Sequence, residues 1–176
     1  MRARGAPGHG LVNYLALATD YDGTIATEGV VPRSTLDALE QVRESGRKLV
    51  LVTGRALDDL LRHVPCTPLF DMVVAENGAH LYRPATGEER LLGAPSPDAF
   101  VAALSARGVD RPYLGRVVVA TSRSNEAPVR DAIEALGLPL RVIANKGGVM
   151  VLPEGVDKGS GLRAALAELG LSPLHT

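Results

Sequence analysis

The sequence predicts an α/β protein, a parallel-sheet core followed by a smaller α+β unit. Apolar runs at residues 14–19, 48–52 and 71–75 are bounded by turn signals and separated by stretches of helical periodicity. Strand, helix, strand, helix, strand with short links is the signature of a parallel sheet. A polar peptide follows each run, at the carboxyl ends where open α/β sheets place their ligands. Beyond residue 83 the pattern changes to shorter, repeated helix-then-strand pieces as far as Pro153.

Each element follows from local chemistry. Residues 1–10 are Gly-rich and basic, without the apolar middle of a signal peptide, and read as a flexible tail. Tyr14-Leu15-Ala16-Leu17-Ala18-Thr19 is a buried strand. Pro32-Arg33-Ser34 opens a helix, with Ser34 as N-cap and Asp37 three residues on, as in a capping box. Leu36, Leu39 and Val42 recur at helical spacing, and Gly46 ends the element. Lys48 to Val52 is the second strand. A short helix carries Leu57, Leu60, Leu61 and Val64 until Pro65 stops it. Residues 71–75 form the third strand.

Residues 84–97, rich in Pro, Gly and charge, read as a linker. Ser96-Pro97 then starts a helix through Phe100 and Leu104 to Gly108. Residues 114–121 read as one strand centred on Val117-Val118-Val119. Asn125 caps a helix presenting Val129, Ile133 and Leu136, with Gly137 after it. Leu140-Arg141-Val142-Ile143 and Val149-Met150-Val151-Leu152 pair around Lys146-Gly147-Gly148. The last helix runs from Gly159 through Leu162, Leu166 and Leu169 to Gly170.

Composition excludes several classes of function. Apolar residues at 45% and charged residues at 22% are the balance of a soluble globular protein. Aromatics are only 3%, so Leu, Val and Ala must fill the core. A net charge of -1 argues against a nucleic-acid-binding surface, which needs concentrated positive charge. No stretch approaches the ~20 apolar residues that span a bilayer. The single cysteine, Cys66, has no partner for an internal disulfide, which fits the cytoplasm.

The chemistry concentrates in four peptides. In Asp20-Tyr21-Asp22-Gly23-Thr24, two carboxylates two residues apart converge on one pocket, because side chains alternate with period two. Gly23 lets the backbone turn and Thr24 adds a hydroxyl. Such a pair in a phosphate site implies a hard divalent cation, Mg²⁺; the rival reading is an Asp-rich turn. In Thr53-Gly54-Arg55 the Thr53 hydroxyl and the Gly54 N–H can approach a phosphate, although the peptide is equally a strand-to-helix turn. Asn77-Gly78 is likewise a good turn sequence. Lys158 opens a helix, where a cation opposes the dipole, so a purely structural role is less attractive. Residues 155–161 lack the Gly-Lys-Ser/Thr order of a P-loop. His63, His80 and Cys66 lack metal-ligand spacing and read as structural.

Taken together, Asp20-x-Asp22-Gly23-Thr24, Thr53-Gly54-Arg55, Glu76-Asn77-Gly78-Ala79 and Lys158-Gly159 resemble the haloacid dehalogenase superfamily. Within it the chain looks like the Cof-type phosphatases, which carry a cap domain between the second and third motifs. The resemblance implies a Rossmann-like parallel-sheet core, incomplete here, at 11–83 and 154–176, with a small α+β cap inserted at 84–153. It implies Mg²⁺-dependent hydrolysis of a small phosphorylated metabolite, a sugar phosphate or phosphoglycolate. Asp20 would be the nucleophile that becomes an aspartyl-phosphate, and Asp22 the acid and base. Thr53 and Lys158 complete the catalytic set. Gly23, Thr24, Gly54, Arg55 and Asn77 would bind substrate, while Asp20 and Asp22 would hold the metal. Arg141 and Lys146, at predicted cap strand ends, are expected to meet an anionic substrate.

One departure stands out. The family's acidic fourth motif, Gly-Asp-x-x-x-Asp, has no counterpart before the sequence stops at Leu171-Ser172-Pro173-Leu174-His175-Thr176. The expectation is a truncated chain or a fragment of a larger protein, with weakened metal binding and impaired turnover. The first strand would keep an open apolar edge that invites a second copy or a partner chain. A non-catalytic phosphate- or metal-binding interaction domain is the alternative, and a phosphotransferase using an acceptor other than water a third.

Overall fold

A computed structural model describes residues 14–144 and 147–176. The expected tail at 1–10 and Lys146 lie outside the described residues. The fold is α/β, built on two sheets.

The first sheet has the order β1-β2-β3-β4-β5, formed by Ala16–Thr19, Lys48–Val52, Met72–Ala75, His80–Arg83 and Glu88–Leu91. β1, β2 and β3 are parallel, as expected, while β4 and β5 are antiparallel to their neighbours. The helices α1 (Arg33–Glu44) and α2 (Leu57–His63) make the first two crossovers. Because β2 is buried on both faces, its apolar run serves two cores. Leu49 and Leu51 pack with Leu39, Leu57 and Leu60, whereas Val50 and Val52 pack with Met72, Val74 and Leu166. Leu166 belongs to α5 (Lys158–Glu168), which returns to cover the second face.

The second sheet is antiparallel, in the order β6-β7-β9-β8. Its strands are β6 (Tyr113–Leu114), β7 (Val119–Ser122), β8 (Leu140–Ala144) and β9 (Gly148–Pro153). The helices α3 (Asp98–Ala106) and α4 (Glu126–Leu136) cover one face, where Phe100, Leu104, Val129 and Ala132 meet Val119, Val149 and Val151. On the other face Val118, Leu152 and Met150 gather with Ala79 and Val156, which belong to segments adjoining the first sheet.

Several local expectations are corrected. The stretch 84–97 is not all linker, because β5 pairs with β4 and extends the first sheet. The expected single strand at 114–121 is divided into β6 and β7. Gly115 N–H donates to the Val118 carbonyl, making a tight turn, and the amides of 116–118 bond elsewhere. Ser34 does not cap α1: Pro32 holds that position, and Asp37 pairs with Arg33 at 2.8 Å. Asn125 stands at the start of α4, but its side chain accepts no helix N–H; its amide donates instead to Thr121 Oγ1 at 2.8 Å. Among the described residues β1 ends the strand order; just before it, the Leu15 N–H donates to the His175 carbonyl at 2.7 Å.

Candidate active site

Two crossover loops, the turn from β3 into β4 and one helix start converge at the carboxyl ends of β1, β2 and β3. The loops after β2 and β3 are stitched together: Asn77 N–H donates to the Thr53 carbonyl at 3.0 Å, and Glu76 N–H to the Arg55 carbonyl at 2.8 Å. Helix α5 begins on a complete capping box. The Asp157 carboxylate accepts the Ser160 N–H at 2.7 Å, and Ser160 Oγ accepts the Asp157 N–H at 2.8 Å. Lys158 is thereby the first residue of the helix, with its ammonium 2.7 Å from Asp20 Oδ2.

Asp20, Asp22, Gly54, Arg55, Asn77, Met150 and Lys158 line one cleft of about 270 Å³. The second Asp20 oxygen accepts the Tyr21 N–H at 2.7 Å, fixing the carboxylate. Asp22 is held by a two-pronged ion pair: Arg55 Nε reaches Oδ2 at 2.8 Å and Nη2 reaches Oδ1 at 2.7 Å. Those bonds hold the Asp22 carboxyl below the usual carboxylate range and raise the Arg55 guanidinium in turn. Arg55 also pairs with Asp59 at 3.0 Å, and its guanidinium lies 4.9 Å from the centroid of the buried Tyr21 ring.

Other expected site residues are placed differently. Thr53 is 0% exposed, and its Oγ1 accepts the Arg55 N–H at 3.1 Å, so it braces the loop. Gly23 and Thr24 are exposed on the turn after Asp22, outside the cleft lining. Arg141 Nη2 donates to the Val156 carbonyl at 2.7 Å, tying β8 to the segment before α5. His63 contacts Asp59 at 2.9 Å, and Cys66 is buried, where desolvation pushes its thiol up. Met150 was not foreseen, since an apolar residue in a predicted strand reads as core. The role of Glu76 also escaped the sequence, because its partners lie about forty residues away.

Glu76 is buried, with its carboxylate facing the N–H groups of Arg116, Val117 and Val118 at 2.9, 2.9 and 3.0 Å. Burial pushes its pKa up. The His80 ring and those backbone donors outweigh this and bring it down to about 2. A depressed carboxylate contributes stability that is fully present above its ordinary pKa of 4.5 and lost as pH falls toward 2. The contribution is about 3 kcal/mol at neutral pH. Unfolding free energies of wild type and Glu76→Gln, from denaturant titrations, should therefore converge as pH drops through this window. Parallel pH profiles would contradict it.

The donor set fits a hard divalent cation in part. The Asp20 carboxylate and the Asp22 main-chain carbonyl are hard oxygens, whereas the Asp22 carboxylate is engaged by Arg55. Among the described residues no group of three or more His, Cys, Asp or Glu can hold a metal. Nor, among them, is any helix long and apolar enough to cross a membrane.

Comparison with known proteins agrees with the fold. Residues 17–92 match the family model described as haloacid dehalogenase-like hydrolase. The chain is 31% identical over 169 residues to a phosphoglycolate phosphatase of Haloarcula marismortui, covering 89% of this chain and 72% of that protein. This chain belongs to the haloacid dehalogenase-like hydrolase family. Its fold is shared with a superfamily phosphatase from Bacteroides thetaiotaomicron (TM-score 0.73, 21% identity, 97% of this chain and 78% of that one). It is also shared with a sugar phosphatase of subclass IIB (TM-score 0.67, 17% identity, 89% of this chain and 76% of that one).

Proposed function

We propose that this hydrolase is a Mg²⁺-dependent phosphatase that cleaves small phosphomonoesters through an aspartyl-phosphate on Asp20. The observation that carries the reading is the 2.7 Å contact between Lys158 and Asp20, residues 138 positions apart. An ammonium held on a fixed carboxylate at the mouth of a parallel sheet is suited to receive a phosphate dianion. Lys158 offsets charge on the attacking carboxylate and the incoming phosphate. The free Asp20 lone pair attacks phosphorus, and the bond to the leaving oxygen breaks as the new oxygen–phosphorus bond forms.

Asp22 gives a proton to the leaving alkoxide. It then takes one from the water that attacks phosphorus and releases Asp20. Its pair with Arg55 keeps Asp22 ionised, so proton donation requires that pair to open. Arg55 is then free to meet a phosphate oxygen. The Asp20 carboxylate and the Asp22 carbonyl would hold Mg²⁺, with water and substrate oxygens in the remaining positions. A bound Mg²⁺ supplies charge neutralisation at the transferring phosphoryl group. Gly54 and Asn77 line the substrate side of the cleft, and the second sheet serves as a cap that excludes water.

The relative from Haloarcula marismortui is named a phosphoglycolate phosphatase, and a small two-carbon leaving group suits a cleft of about 270 Å³. A sugar phosphate is the competing substrate. Phosphate release should be measured from phosphoglycolate and hexose phosphates with Mg²⁺, and again with excess EDTA. Mg²⁺-dependent release is expected, with phosphoglycolate preferred. A folded protein silent on every ester would leave a non-catalytic phosphate-binding domain as the reading.

A further inference from the structure

Glu76 lies next to Asn77 in the cleft, yet its side chain turns the other way. It is 2% exposed, and its oxygens accept three consecutive backbone N–H groups, those of Arg116, Val117 and Val118. That segment joins β6 to β7 in the second sheet, so a carboxylate of the first unit takes the place of a ladder strand in the second. A Cβ on Gly115 would stand 2.7 Å from Glu76 Oε2, so the backbone comes closer than any other residue would permit. Behind Glu76 stands His80, 1% exposed, with Nε2 at 2.9 Å from Glu89. The backbone supports this grip at a cost: Glu76 and Asn77 both have positive φ, 50° and 53°.

The connections close into a ring. Residues 116–118 lead into β7, whose Ala120 pairs with Met150 on β9. Among the described residues lining the cleft, Met150 is the second sheet's contribution. The Asn77 amide donates to Met150 Sδ at 2.7 Å, which returns the path to the residue beside Glu76. The geometry points to Glu76 as a positioning residue for the proposed phosphatase reaction: its carboxylate grips the backbone of 116–118 and so holds the second sheet, with Met150, over the cleft. The role rests on the phosphatase reading above. A carboxylate suits it because all its lone pairs accept, whereas a glutamine amide would present donors to donors.

The test compares residues 1–176 as wild type, Glu76→Gln and Glu76→Asp. Backbone hydrogen exchange is followed by NMR without substrate, and hydrolysis is followed with p-nitrophenyl phosphate and Mg²⁺. In Glu76→Gln, exchange at 116–118 should quicken about tenfold or more relative to β2. KM should rise about tenfold with a smaller fall in kcat, and Glu76→Asp should recover part of both. The tie from Arg141 to Val156 keeps the second sheet attached in the variant. Gly115→Ala, which crowds the same carboxylate, should reproduce the pattern and serves if Glu76→Gln does not fold. Unchanged exchange, or quickened exchange with KM unmoved, would overturn the role of Glu76 alone. Absence of hydrolysis by wild type would overturn the phosphatase reading beneath it.

Discussion

Asp20→Asn is expected to abolish phosphate release, by at least about 10³-fold, while leaving the protein folded. The amide lacks the anionic oxygen that attacks phosphorus, and the other carboxylate lining the cleft, Asp22, is engaged by Arg55. The Asn oxygen can still accept the Tyr21 N–H that Asp20 accepts at 2.7 Å, so the loop keeps its anchor. What is lost structurally is the ion pair with Lys158, and both partners are about 40% exposed. Water screens such a pair, so its loss costs at most about 1 kcal/mol. Phosphate release and a thermal melt on the same preparation separate the two effects. Substantial turnover by a folded Asp20→Asn protein would remove Asp20 as the nucleophile.

Gly78→Ala should give the largest loss of stability, about 3–5 kcal/mol, from strain and overpacking together. Gly78 has φ +106°, where an alanine is strained whatever the space. Space is also absent: a Cβ there would lie 1.9 Å from the Asp157 carbonyl oxygen and 2.4 Å from its carbon. Both atoms are backbone, so no side chain can swing aside. Relief would have to come from moving the start of α5 away from the sheet, which carries Lys158 off Asp20. Gly78→Ala should therefore lower both the denaturant midpoint and phosphate release. A variant as stable as wild type would mean that α5 does not seat on this turn.

The two substitutions also separate what is readable in one dimension from what is not. Asp20 announces itself: a carboxylate pair after a buried apolar run signals a strand-end site before any contact is known. Gly78 does not, because Asn-Gly is an ordinary turn sequence and the Asp157 carbonyl it meets is far along the chain. The same contrast runs through the misreadings. Ser34 and Asp37 carried the spacing of a capping box, but Pro32 took the cap position and Arg33 took Asp37. The valines at 117–119 carried the apolar run of a strand, but Glu76 claimed the amides of 117 and 118 and left β7 to begin at Val119.

By itself, the sequence determined the three parallel strands, the helices between them and the peptides at their ends, because burial periodicity and turn chemistry are local properties. It also placed Asp20, Arg55, Asn77 and Lys158 at element boundaries that open α/β sheets turn toward one cleft. Tertiary structure alone decided the partners: Arg55 on Asp22, Thr53 buried beneath its loop, Met150 over the cleft and Glu76 gripping the second sheet. Arg55 reaches Asp22 because β1 and β2 lie side by side in the first sheet. Met150 and Glu76 meet partners far along the chain, and only the packing of the two sheets brings those together.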